Sequence, residues 1–130
     1  MSYRRYARGQ ALIEAAATIL VFCTLAFGVV EFGRVLLVAN ALANAAREGA
    51  RLASVTPSLI VNDPRVKTRV LQSLLPVGIT SAAVFTLPGT LPDKLVRVRV
   101  RVPYRALLGA FFPGVDGRSL EGVAMMRYEI

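Results

Sequence analysis

The sequence predicts an α+β protein: a long N-terminal helix that enters a membrane, its outer half packed on a small antiparallel sheet of about three strands, plus one short helix. Three observations carry this expectation. From Ala11 to Val30 the chain is apolar for about 20 residues, the length of one membrane-spanning helix. No proline occurs between Gln10 and Ser54, so nothing stops the helix where the apolar run ends. Near the other end, Val96, Val98, Val100 and Val102 alternate with Arg97, Arg99 and Arg101, the period-2 pattern of a half-buried strand.

The leader, residues 1–9, carries Arg4, Arg5 and Arg8 and no acid. Its positive charge assigns this end to the cytoplasm and sends everything after Val30 across the membrane. An ordinary secretory signal has a shorter apolar core that closes at a small-x-small site; here the run is longer and continues as helix. The expected organisation is therefore a leader at 1–9, a transmembrane segment at 10–30 and an extracytoplasmic α+β domain at 31–130.

Beyond the apolar run the helix becomes amphipathic. Asn40, Asn44, Arg47 and Arg51 form a polar stripe. Phe32, Val35, Leu36, Ala39, Leu42, Ala43, Ala46, Ala50 and Ala53 form an apolar stripe of mostly small side chains, suited to close approach of another helix or of a sheet. Glu31 and Arg34 stand three residues apart, close enough to pair on the helix surface. Pro57 ends this helix, and Asp63-Pro64 opens a second, with Asp63 as cap and Pro64 at the first helical position. Val66, Val70 and Leu74 give that helix one apolar face, and Leu75-Pro76-Val77-Gly78 closes it. Ala82–Leu87 is a short strand before Pro88-Gly89. Tyr104–Gly117 is a loop or short helical turn around Phe111-Phe112-Pro113-Gly114. Ser119–Ile130 is a closing strand with Leu120, Ala124, Met126, Tyr128 and Ile130 on one side.

Of the 130 residues 55% are hydrophobic, and the formal net charge is +8. Basicity of this size suits nucleic acid, anionic lipid or an acidic partner, but the cations are dispersed over leader, helix and strand. The sequence holds no histidine, its one cysteine, Cys23, sits inside the apolar run, and its other acids form no spaced pair; this is not the equipment of an enzyme, and no cofactor or metal is implied. Arg97, Arg99 and Arg101 share one strand face and are the candidates for contact with a ligand or another subunit. No aromatic residue is interleaved among them to stack on bases, which argues against nucleic acid. An alternative organisation is an uncleaved, single-span binding module that displays this basic face.

Glu14 is the one ionisable residue within the apolar run. A carboxylate placed there costs on the order of 3 kcal/mol on insertion scales, so it calls for a partner. Arg8-Gly9-Gln10-Ala11-Leu12-Ile13-Glu14 resembles the class III signal of type IV pilins, in which cleavage follows the glycine and glutamate is fifth in the mature chain. Glu31-Phe32-Gly33-Arg34 and Asn44-Ala45-Ala46-Arg47-Glu48-Gly49-Ala50-Arg51 look like the TadE-like pilins of the tight-adherence (Flp/Tad) systems. The valine-rich strand and the closing Met126-Arg127-Tyr128-Glu129 also look similar to that family. The resemblance implies a minor pilin or pseudopilin, processed between Gly9 and Gln10 by a prepilin peptidase, with Glu14 serving assembly. Its implied partners are the inner membrane, that peptidase, other pilins and the pilus assembly platform. Many relatives place an aromatic residue after the glutamate, where this chain has Ala15.

Overall fold

The computed structural model describes residues 3–89, 94–106 and 117–127, with side chains from Gly9 onward. Two compact units divide the chain, Met1–Arg34 and Val35–Ile130. Helix α1, Tyr3–Ser54, contributes to both.

In the first unit α1 is helical from Tyr3, upstream of the start expected at Gln10. No proline or capping turn separates residues 3–9 from the apolar run, so these residues continue the helix rather than preceding it. The apolar side chains here are bare: Leu12 is 72% exposed and Phe22 70% exposed. The most apolar window of this helix has a mean hydropathy of 2.2, and α1 is long and apolar enough to cross a membrane. Its two threonine hydroxyls are satisfied within the helix. Thr18 Oγ1 donates to the Glu14 carbonyl at 2.9 Å and Thr24 Oγ1 to the Leu20 carbonyl at 2.8 Å. That is how polar side chains enter an apolar solvent without orphaned groups. Glu31 and Arg34 pair at 3.6 Å.

The second unit is a sheet covered on one face by helices. The strands are β1 (Ala83–Leu87), β2 (Leu95–Pro103) and β3 (Ser119–Arg127), antiparallel in the order β1-β2-β3. Val98 stands opposite both Thr86 and Ala124, and Val100 opposite Val84 and Gly122. Val96, Val98 and Val100 are fully buried, as their alternation predicts. Against them lie Leu42, Ala45, Ala46, Ala50 and Ala53 of α1, together with Val66, Val70 and Leu74 of helix α2 (Pro64–Leu74).

Small residues make this contact possible. A Cβ on Gly122 would lie 2.5 Å from the Leu42 carbonyl carbon and oxygen and 2.8 Å from Ala43 N, so the α1 backbone rests on β3 at that point. A Cβ on Gly49 would lie 2.6 Å from a Val70 methyl. The buried line of α1 thus differs in part from the expected stripe. Ala45 and Gly49 belong to it, whereas Leu36 is 47% exposed and Phe32 is 64% exposed. Leu36 precedes Leu42 by six residues, about a third of a turn off that line.

The Asp63 side chain caps α2 as expected, accepting from Arg65 N at 2.9 Å, with Pro64 in the first turn. Arg65 also closes back on it through Nε and Nη2, at 3.0 and 2.8 Å. These side-chain bonds, opposed by desolvation, hold the Asp63 carboxyl down from 3.8 to about 2. A 3-10 turn, Leu75–Val77, ends at Gly78 in the left-handed conformation (φ 76°). β1 begins at Ala83, one residue after its expected start. The expected loop around Phe111-Phe112-Pro113-Gly114 lies outside the described residues, as do Tyr128 and Ile130 of the closing strand.

Candidate functional site

Two groups of residues stand out chemically, one in each unit. In the first, Gly9, Gln10 and Glu14 all lie in α1 and all are exposed. Four residues of helix bring Gln10 and Glu14 to the same side, one turn apart. The Glu14 carboxylate makes no hydrogen bond or ion pair with any described side chain. A Cβ on Gly9 would meet nothing within 4 Å, so glycine is not demanded there by packing. Its physical effect is conformational: glycine weakens a helix by about 1 kcal/mol relative to alanine, and it does so beside the Gly9–Gln10 bond.

The second group is the outward face of the sheet. Arg97, Arg99 and Arg101 alternate with the buried valines and so project together from β2. They are not equivalent. Glu121 of β3 stands directly opposite Arg101 and takes both of its neighbours in a single fork: Arg99 Nε reaches Oε1 at 2.9 Å and Arg101 Nη2 reaches Oε2 at 2.9 Å. Such a charge-assisted pair is geometrically specific, although its exposure keeps its contribution to stability small. Arg97 has no acidic partner among the described residues. Its cross-strand neighbours are Leu87 on one side and Met125 on the other. The three arginines, with Phe85, Leu87 and Val61, line a groove of about 260 Å³.

Asn62 also lines that groove. Its N–H donates to the Thr86 carbonyl at 3.0 Å, and its Oδ1 accepts from Thr86 N at 3.2 Å. It adopts φ 57°, a left-handed conformation that asparagine tolerates better than most residues. The two bonds cover the exposed edge of β1, as edge strands require. Neither Glu121 nor Asn62 was singled out from the sequence. Glu121 is recognisable only once the β2–β3 register is known, while Asn62 carried a weak signal as an asparagine just before the Asp-Pro helix start. Among the described residues no group of three or more His, Cys, Asp or Glu is gathered as a metal site.

Residues 9–51 match a family model described as TadE-like protein. The matched segment opens at Gly9 and closes at Arg51, so it takes in the exposed apolar helix and most of the α1 residues that cover the sheet, and stops before α2. No curated protein and no solved structure matches the chain. Over residues 9–51, then, the chain is similar to TadE-like proteins.

Proposed function

We propose that the chain is a structural subunit, a minor pilin or pseudopilin, of a Tad/Flp-type pilus or related secretion assembly. Its leader is removed between Gly9 and Gln10 by a prepilin peptidase, and the helix then carries it into a filament or its base. The N-terminus lies on the cytoplasmic side of the inner membrane and the α+β domain outside. The observation that supports this reading is the TadE-like match that opens at Gly9, immediately before the bond to be cut. Glycine at that position eases the local unwinding that a helical peptide bond needs before a peptidase can reach it.

Glu14 then has a defined task. Cleavage frees the amine of Gln10 one turn away, and within an apolar environment a carboxylate and an ammonium attract strongly. The amine of a neighbouring subunit satisfies Glu14 during assembly and fixes the axial register between helices.

Two variants test the reading. Gly9→Leu should leave the protein at precursor size in cells that hold the peptidase; a mature-size product from that variant would overturn the cleavage assignment. Glu14→Gln should insert and be processed, yet fail to enter filaments. Unchanged incorporation would remove the role given to Glu14.

A further inference from the structure

The outward face of the sheet holds a charge pattern that is complete at one end and open at the other. At the complete end, Glu121 sits between Arg99 and Arg101 with both contacts at 2.9 Å, which shows that two successive arginines of β2 fork a carboxylate well. The strand repeats every two residues, so Arg97 and Arg99 offer the same spacing one step along. On β3 the residues facing that step are Val123 opposite Arg99 and Met125 opposite Arg97, and neither supplies an acid. On β1 they are Phe85 and Leu87.

These four neighbours are exposed, from 44% for Phe85 and Val123 to 53% for Met125. The open arginine step is therefore framed on both sides by uncovered apolar surface. The whole face carries Arg97, Arg99, Arg101 and Arg127 against Glu121 alone among its described acids. A second copy of the same face would set these cations against each other, so self-pairing through it is disfavoured. Arginine on a rigid strand, with apolar shoulders, suits a planar carboxylate on a partly apolar segment better than a fluid layer of headgroups.

We propose that the Arg97–Arg99 step of this face receives a carboxylate from an acidic, apolar segment of a partner protein, whose apolar side chains cover Phe85 and Leu87. Glu121 is the internal counterpart of the incoming group. This inference rests on the sheet alone and stands whether or not the leader is cleaved.

The test is binding of a labelled peptide, in which glutamate alternates with leucine and phenylalanine, to the full chain in neutral detergent micelles, read by fluorescence anisotropy. Binding should saturate, and Arg97→Ala should weaken it about ten-fold or more, the loss of one charge-assisted contact. Arg97→Glu should abolish it, and Phe85→Ser should weaken it. Arg97 is exposed, so its two variants should unfold at the parent temperature, a control measured alongside. Equal binding of a peptide with lysine in place of glutamate would overturn the proposal. So would unchanged binding to the Arg97→Ala variant. Displacement of the peptide by micelles containing phosphatidylglycerol, but not by phosphatidylcholine ones, would overturn it as well and assign the face to anionic lipid.

Discussion

Replacing Gly122 by alanine tests the closeness of helix and sheet in the second unit. The added methyl would sit 2.5 Å from the Leu42 carbonyl and 2.8 Å from Ala43 N, whereas carbon atoms in contact prefer about 3.5–4.0 Å. About 1 Å must be found, and the atoms in the way are helix backbone, which has no rotamer to change. The helix has to move off the sheet, loosening a contact in which Leu42, Ala45, Ala46 and Ala50 are fully buried. Overpacking of this kind costs about 1–3 kcal/mol, and backbone obstruction puts this case at the upper end. Loss of glycine's freedom in the unfolded chain offsets about 0.4–1 kcal/mol. The net loss is about 2 kcal/mol, or roughly 8–16 °C for a unit of this size. The assay is thermal unfolding of the full chain in detergent, followed by hydrogen exchange at the β2 and β3 amides. Gly33→Ala, where a Cβ meets nothing within 4 Å, is the control and should show no comparable loss. A Gly122→Ala protein that opens within about 2 °C of the parent would refute the packing argument. So would rescue by Leu42→Ala, because shortening that side chain leaves the obstructing backbone in place.

Three further outcomes follow from the same packing. Gly49→Ala should cost about 1–2 kcal/mol, because its methyl meets a Val70 methyl that can shift; Val70→Ala should then cost less in that background than alone, as a double-mutant cycle of unfolding free energies would show. Thr86 is fully buried and its Oγ1 has no hydrogen-bond partner among the described residues, so Thr86→Val should stabilise the unit by about 1 kcal/mol, measured as a rise in the denaturant midpoint. The depressed pKa of Asp63 stabilises the folded state above pH 3.8, and that contribution is lost as pH falls through about 2. Asp63→Asn keeps an acceptor for Arg65 N–H but does not titrate, so the variant's stability should fall less steeply than the parent's between those two values, as acid titration of the unfolding midpoint would report.

The elements that were legible in the sequence are those whose signal is local. Asp63-Pro64 followed by Val66, Val70 and Leu74 specifies α2 and its buried face. Four alternating valines specify β2 and the side it buries. The long helix needed only an apolar run without proline. What was not legible depends on distance in the chain. Glu121 pairs with Arg99 and Arg101 through a strand register that turns on a connection of many residues. Gly49 and Gly122 read as gaps in a pattern, yet a Cβ there would meet a Val70 methyl at 2.6 Å and the Leu42 backbone at 2.5 Å. The helix start was misplaced for another reason: the motif at Gly9 interrupts no local helical signal, and a continuous helix passes straight through it. At the candidate sites, the alternation placed all three arginines on one face, but only the fold separates the paired Arg99 and Arg101 from Arg97.

The central functional claim is that this chain is a processed, prepilin-type subunit, and the N-terminal sequence of the protein recovered from native membranes tests it most directly. The account expects the recovered chain to begin at Gln10, with the exposed apolar helix retained. A protein that begins at Met1 in cells holding an active prepilin peptidase would contradict the processing claim and leave an anchored module with a basic, apolar sheet face. A protein that begins after Val30 would contradict the account at its root, because the helix would then be a discarded signal.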